Sequence, residues 1–292
     1  MNVARPAGRQ AGRTVFLLAA LAVCACESDR NPNEPSPIPS DTEYFTAVGA
    51  SDAIGVGASI VCIPFTECPN GTGYVQVVRN RLTDDGKDVT HVNLGIPGAV
   101  LSPEIQAIGD ALGRDIFANF LERELPFVPR DSTLVTVFAG GNDVNTIGEA
   151  LERGFAGLDR AGYVSTRIQN FGRDIRMLVS GIRERAPEAR VVVLNLPNMA
   201  AMPYVSGLSL DRKRWLQMIA VGFSAQINTT QTLGARVVDL MCDAAFYQPA
   251  IFSSDGFHPN DAGYAYMAER VYAAATGSIP APAVSCPQMA IF

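Results

Sequence analysis

From Asp41 onward, short apolar runs alternate with longer segments that place apolar residues at helical spacing. The short runs have the length of strands, and the longer segments have the length of helices. Strands that are apolar along their whole length are buried on both faces, as happens where helices cover both sides of a parallel sheet. The alternation therefore predicts a three-layer α/β/α sandwich with a five-stranded parallel sheet.

The same pattern gives approximate positions for the elements. The expected strands cover residues 44–48, 88–94, 133–138, 190–196 and 235–240. The expected helices cover residues 72–82, 101–124, 164–186, 211–233 and 261–275. Asn260 or Asp261 is the expected N-cap of the last helix. Because ligands bind beyond the carboxyl ends of strands in such sheets, we expect the chemistry in the loops that follow the strands.

The N-terminal segment resembles an export signal. Arg5, Arg9 and Arg13 precede the apolar run 15–23, which is too short to span a bilayer and has the length of a signal-peptide core. The run ends in VCAC, which resembles a bacterial lipobox with Cys26 as the lipidated residue. Ordinary signal-peptide cleavage without lipidation is the alternative.

The stretch after Cys26 is polar and rich in proline, which is typical of a tether because it cannot bury a core. We therefore predict a signal peptide over residues 1–25, a tether over 26–40, one α/β domain over 41–277 and a C-terminal tail over 278–292. The protein is then either an outer-membrane or cell-surface lipoprotein, or a periplasmic or secreted protein.

Four cysteines follow the tether, and an even number in an exported chain indicates disulfides. They are Cys62, Cys68, Cys242 and Cys286. Four cysteines allow three pairings. We favour Cys62–Cys68, which closes a short loop that contains proline, together with Cys242–Cys286.

Charge and missing motifs exclude several classes of protein. The formal net charge is −6, whereas nucleic-acid binding needs clustered Lys and Arg. The chain has two histidines and no CxxC, which argues against a zinc site. It has no GxSxG elbow, Walker loop, HExxH or EF-hand pattern either. We expect neither a metal nor another cofactor, and the sequence indicates no oligomeric state.

Polar and glycine residues concentrate in four loops that follow strands or lie near the C-terminus. Their sequences are GASD at 49–52, NLGIPG at 93–98, AGGND at 139–143 and DGFHPN at 255–260. In kind and order, these segments resemble the four blocks of the SGNH (GDSL) hydrolase family. The resemblance spans residues 44–275. The first block departs from the family name, because this chain has GASD where the name has GDSL: the serine is kept, and Ala50 replaces the aspartate before it.

The resemblance implies a flavodoxin-like sandwich and a serine hydrolase with a triad of Ser51, Asp255 and His258. The residues support this by themselves. Ser51 follows a strand, so its hydroxyl can face the cleft, although a loop or N-cap serine is the common alternative. His258 is the available base, because His91 lies inside the second strand. Asp255 lies three residues earlier, close enough to hold one imidazole tautomer.

An ester hydrolase also needs donors for the oxyanion. The backbone N–H groups of Ser51 and Gly98 and the side-chain amide of Asn142 are the expected set. Asp143 is expected to be structural, and Asp52 to be a solvated carboxylate at the start of a helix. A turn role is the alternative for Gly98 and Asn142.

The substrate is less constrained than the reaction. Residues 199–210 could form an apolar wall, whereas Trp215 and Met218 are either part of that wall or ordinary core residues. Within the range of activities that the resemblance implies, we favour a carboxylesterase acting on short- to medium-chain acyl esters or lipids. A polysaccharide deacetylase is the alternative within enzymes. A surface lipoprotein that binds ligands without catalysis is the alternative outside them.

Overall fold

The computed structural model of the protein describes Met1 and residues 41–64, 66 and 68–292. Within this part, five parallel strands form a sheet in the order β2-β1-β3-β4-β5. The strands are β1 (Thr42–Gly49), β2 (Asp88–Asn93), β3 (Leu134–Phe138), β4 (Arg190–Leu194) and β5 (Arg236–Val238). The predicted five-stranded parallel sheet is confirmed.

Helices flank the sheet. They are α1 (Ser51–Ile54), α2 (Tyr74–Asp84), α3 (Pro103–Ala111), α4 (Phe120–Arg123), α5 (Gly141–Glu152), α6 (Arg160–Arg185), α7 (Leu210–Asn228) and α8 (Asp261–Thr276). One group packs α2 against α8, and the other joins α3, α5, α6 and α7. These groups and the sheet between them give the predicted α/β/α arrangement.

The central strands are buried because their side chains are apolar on both faces. β4 (Arg190–Leu194) is buried from Val191 to its end, and β3 (Leu134–Phe138) is buried over its first four residues. Full burial of one such aliphatic side chain contributes about 1.5–3 kcal/mol. The sheet therefore forms a stable platform for the loops at its carboxyl edge.

The prediction of a single helix over residues 101–124 is wrong. The structure contains α3, an irregular segment and the short helix α4. Gly113 follows α3 with φ +73°, a left-handed conformation that cannot continue a helix. A bridge between Val100 and Asn119 then brings the segment back, and the Asn119 side chain caps α4.

The sequence reading also omitted α5, which follows Gly140 directly and places Asn142 and Asp143 in its first turn. The helix expected over 211–233 ends at Asn228 and continues to Leu233 as a 3-10 helix. The N-cap of α8 is Asn260, whose side chain accepts from the Gly263 N–H.

Disulfides join Cys62 to Cys68 and Cys242 to Cys286, the two pairs favoured from the sequence. The second bridge fixes the C-terminal tail, whose last residue also accepts a hydrogen bond from Gln217 Nε2. The predicted signal peptide, tether and lipidated Cys26 lie outside the described residues, apart from Met1. Among the described residues, no helix has both the length and the hydropathy of a membrane span. The domain boundaries remain predictions.

Candidate active site

Ser51 lies where β1 passes into α1, at the carboxyl edge of the sheet. Its side chain is mostly buried, with 7% of the residue exposed. We call residues 49–54 the Ser51 turn. The turn is tied to its neighbours by backbone hydrogen bonds, among them one from the Ile96 N–H to the Gly49 carbonyl. Position 51 is therefore defined by the ends of two adjacent strands.

The three residues expected to form a triad, Ser51, His258 and Asp255, lie in a continuous hydrogen-bonded chain. The Ser51 Oγ lies 2.8 Å from His258 Nε2. On the other side of the ring, His258 Nδ1 lies 2.6 Å from Asp255 Oδ2. A carboxylate at Nδ1 holds the proton on that nitrogen and leaves Nε2 free to accept a proton from the serine hydroxyl.

Asp255 belongs to the loop that carries the histidine, residues 253–260, which we call the His258 loop. Burial opposes ionisation, but the bonds from the His258 ring, the N–H groups of His258 and Phe257 and the Ser253 hydroxyl outweigh it. Their balance lowers the pKa of Asp255 well below its usual value. Its side chain is 46% exposed. The anion is therefore maintained by donors of its own loop.

Gly57 lets the His258 loop approach the segment that follows α1. It adopts φ +93°, and a Cβ there would lie 2.6 Å from the Pro259 carbonyl oxygen and 2.8 Å from the His258 Cβ. Nearby, the Tyr264 hydroxyl donates to the Val56 carbonyl. The contact depends on a residue without a side chain.

The three expected oxyanion donors come from the segments that follow β1, β2 and β3. The Ser51 N–H lies in the first turn of α1, where N–H groups have no intrahelical acceptor. Gly98 follows β2 with φ +77°. The Asn142 Nδ2 donates to the Ala99 carbonyl at 2.9 Å, and the amide has a second N–H. The Asn142 contact thus places the amide beside the loop between β2 and α3, residues 94–102, which we call the Gly98 loop.

Asp143 connects α5 to the loop after Gly98. Both of its carboxylate oxygens accept from the Leu101 N–H, at 3.0 and 3.2 Å. Burial raises its pKa to about 7, although the Leu101 hydrogen bond opposes that shift. This geometry fits the structural role expected from the sequence.

Three supporting residues escaped the sequence reading or were interpreted differently. The sequence indicates only a loop position for Asn93, but its side-chain amide donates to the Ala53 carbonyl and its Oδ1 accepts from the Gly95 N–H. Glu124, expected at the end of a helix, accepts from the Gly49 N–H. Asp52 was expected to be solvated, but it is partly buried and lines the candidate pocket, and burial raises its pKa. Of these three residues, only Asn93 carries a signal in the sequence, because it begins the NLGIPG segment that follows a strand.

A pocket of about 530 Å³, including its open mouth, adjoins the residues on either side of Ser51 and His258. Apolar side chains form much of its wall: Phe138, Leu196, Met199, Met202, Phe246 and Phe257. The expected wall at 199–210 thus contributes two methionines. Trp215 lines a different cavity, and Met218 is exposed, so neither belongs to this wall.

The other histidine is not part of the site. His91 lies in β2 and lines a separate cavity. Burial lowers its pKa to about 4. Among the described residues, no group of His, Cys, Asp and Glu side chains could hold a metal ion.

Comparison with known proteins agrees with this architecture. Residues 47–266 match the GDSL-like Lipase/Acylhydrolase family. No curated protein matches the chain.

Solved structures share the fold at low sequence identity. A lipase from a goat rumen metagenome is 20% identical with a TM-score of 0.54, and the match covers 80% of this chain and 98% of that one. A GDSL-like lipase from Parabacteroides merdae is 19% identical with a TM-score of 0.51, over 81% and 95% of the two chains. The extracellular lipase of Streptomyces rimosus is 18% identical with a TM-score of 0.50, over 80% and 99%.

Proposed function

Because the chain belongs to the GDSL-like lipase/acylhydrolase family, we propose that it is a serine esterase that cleaves carboxylic esters through Ser51, His258 and Asp255. The observation that carries the proposal is the chain of contacts at 2.8 and 2.6 Å from the serine hydroxyl to the carboxylate. Few structural roles require a mostly buried serine, an imidazole and an ionised carboxylate in this order at the mouth of a pocket.

In the proposed reaction, the Ser51 oxygen attacks the ester carbonyl carbon while His258 Nε2 takes the hydroxyl proton. The oxyanion that forms accepts hydrogen bonds from the N–H groups of Ser51 and Gly98 and from the free amide N–H of Asn142. His258 then gives its proton to the departing alcohol, and an acyl-enzyme remains. A water molecule then attacks the acyl-enzyme in the same way, with His258 taking its proton, and the acid is released as Ser51 regains its hydrogen.

The proposed substrates are esters or lipids with short- to medium-chain acyl groups. Support comes from the pocket wall, where Leu196, Met199, Met202 and Phe246 offer apolar surface and no charge. Methionine side chains adapt to the shape of a ligand, which suits a range of acyl lengths.

The test is hydrolysis of p-nitrophenyl esters from acetate to palmitate by residues 41–292 and by the Ser51→Ala variant. We expect turnover that peaks at short or medium chains and that the variant lacks. Acetate release from acetylated xylan, with no turnover of the longer esters, would instead support the polysaccharide deacetylase. Retention of substrate without any turnover would support the binding lipoprotein.

We also propose that the protein is exported and anchored through a lipid on Cys26. Support comes from the N-terminal sequence and from the two disulfides, which form and persist in oxidising compartments. Mass spectrometry of the membrane-associated protein should find diacylglycerol on Cys26. The Cys26→Ala variant should move to the soluble fraction, and an unchanged membrane association would contradict the anchor.

A further inference from the structure

The Ser51 turn has no capping side chain at its start. Ala50 is the N-cap of α1 and makes no side-chain capping hydrogen bond, and it stands where the GDSL sequence has aspartate. Among the described residues, the side chain that bonds to the backbone between Gly49 and Ser51 comes from a distant part of the chain. It is Glu124, whose Oε2 accepts from the Gly49 N–H at 2.8 Å.

Glu124 also belongs to a segment that is fixed to the Gly98 loop. It follows α4 directly, and α4 is held by hydrogen bonds from the Phe120 N–H to the Val100 carbonyl and from the Leu121 N–H to the Leu101 carbonyl. One side chain therefore links the end of β1 to the loop that follows β2. Each of the two linked segments carries a proposed oxyanion donor: the Ser51 N–H follows β1, and the Gly98 N–H lies in the loop after β2.

We propose that Glu124 is a positioning residue, whose buried carboxyl group fixes the Ser51 turn relative to the Gly98 loop by holding the Gly49 N–H. The proposal rests on the function proposed above, because it requires Ser51 to be the nucleophile. Glu124 itself does not contact the reacting atoms.

The surroundings of Glu124 favour the uncharged form of its carboxyl group. The residue is fully buried, and its Oε1 has no hydrogen-bond partner among the described residues. Burial raises its pKa well above the usual value, although the bond from Gly49 opposes that shift. An ionised carboxylate with one oxygen lacking a donor would be costly in such a place.

Charge on Glu124 would also affect the reaction. The Glu124 carboxyl group accepts a hydrogen bond from the Gly49 N–H, and Gly49 precedes Ser51 by two residues in the chain. The region is buried, so charges there interact strongly. A negative charge there would oppose the negative charge that develops on the substrate oxygen. The proposal therefore predicts that ester hydrolysis declines at high pH as Glu124 loses its proton.

Two substitutions separate the hydrogen bond from the charge. Glu124→Gln keeps an oxygen acceptor and cannot ionise, whereas Glu124→Leu removes the acceptor and leaves a buried N–H without a partner. Glu43→Leu is the matched control, because Glu43 is a buried glutamate near the other end of β1 and pairs with Arg190. It should cost stability without touching the Ser51 turn.

The measurements are kcat and KM on p-nitrophenyl butyrate, the rate at which a fluorophosphonate labels Ser51, and the folded fraction under assay conditions. We expect Glu124→Leu to lower kcat and the labelling rate by about 30-fold per folded molecule with little change in KM, the size expected for one unsatisfied buried donor. Glu43→Leu should keep wild-type kcat per folded molecule.

The pH profile tests the charge and remains decisive if Glu124→Leu fails to fold. We expect wild-type kcat to fall at alkaline pH while the protein stays folded, and Glu124→Gln to rescue activity at pH 7 and to lack that fall. A folded Glu124→Leu with wild-type kcat overturns the proposal, and so does the same alkaline fall in Glu124→Gln. If the wild type neither hydrolyses esters nor labels at Ser51, the proposed function itself has failed, and the positioning role fails with it.

Discussion

The Ser51 turn and the His258 loop meet through one hydrogen bond of 2.8 Å, yet the molecule holds them in different ways. Ser51 is 7% exposed, and its turn is fixed by partners distant in the sequence, such as Asn93 and Glu124. The Asp255 side chain is 46% exposed, and its four donors all come from the same loop.

This difference separates two requirements of the proposed chemistry. The nucleophile needs a fixed position relative to the oxyanion donors, which the rigid edge of the sheet can supply. The acid–base pair needs a fixed orientation of one ring, which a short hydrogen-bonded loop supplies without burying a charge. Substitutions of the buried side chains that anchor the Ser51 turn, Asn93 and Glu124, should therefore disturb both activity and stability, and those at Asp255 mainly activity.

The largest effect should come from Ser51 itself. The Ser51→Ala variant removes the proposed nucleophile, so kcat for ester hydrolysis should fall by about 10⁴-fold or more. The melting temperature should change little, because the lost hydroxyl bonds to a partly exposed histidine. Ser206→Ala, a change at an exposed serine, is the control and should keep wild-type kcat. If Ser51→Ala retained activity, Ser51 would not be the nucleophile, and the comparison of the Ser51 turn with the His258 loop would lose its premise.

Asp255→Asn should have the next largest effect. The amide cannot carry the negative charge that stabilises the protonated imidazole, and it offers an N–H towards Nδ1, so we expect kcat to fall by about 10²- to 10⁴-fold. Thermal unfolding should stay close to wild type because the side chain is half exposed. A large loss of stability would show that the Asp255 contacts stabilise the fold as strongly as the buried contacts of the Ser51 turn do.

Gly57→Ala tests the contact between the two regions. The new Cβ would overlap the Pro259 carbonyl and the His258 Cβ, so the His258 loop must move away from Ser51. We expect kcat to fall by about tenfold and unfolding to become easier by about 1–3 kcal/mol. Gly86→Ala is the matched control, because Gly86 has a similar φ of +86° but no atom within 4 Å of the added Cβ. Equal activity losses in both variants would contradict the contact.

The smallest effect on activity should come from Asp143→Asn, which instead changes how stability depends on pH. Burial raises the pKa of Asp143 to about 7 in the folded protein, whereas the unfolded carboxyl ionises near its ordinary value of 3.8. Between these values the folded state binds the proton more tightly, so the free energy of unfolding decreases as pH rises from about 4 to 7. Denaturant titrations should show a shallower decrease in the variant, with kcat within about threefold of wild type. An unchanged slope would mean that Asp143 is already ionised.

Sequence reading was most successful where a signal is local. The strands at the centre of the sheet were recognised because burial on both faces leaves runs that consist mostly of Val and Leu. Ser51, Asn142 and the pair Asp255 and His258 were found because each lies in a short block after a strand or near the C-terminus. Their roles remain predictions, but their convergence at one place is a property of the structure.

It failed where the outcome depends on distant parts of the chain. Residues 101–124 have helical spacing, but the return of the chain to pair Val100 with Asn119 divides the segment into α3 and α4. That division places Glu124 beside Gly49, a contact for which neither residue carries a sequence signal. Asp52 was misjudged for the same reason, since its burial comes from neighbours such as Tyr264.

The sequence by itself determined the class of fold, the order of the strands along the chain and the residues that carry the proposed chemistry. These follow from the periodicity of apolar residues and from the types of residue in the strand-end loops, both of which are local. Only the tertiary structure decided which buried groups support Ser51, how closely the His258 loop approaches it and which side chains line the pocket. Those features depend on distances between residues far apart in the chain, which packing sets and spacing along the chain does not reveal.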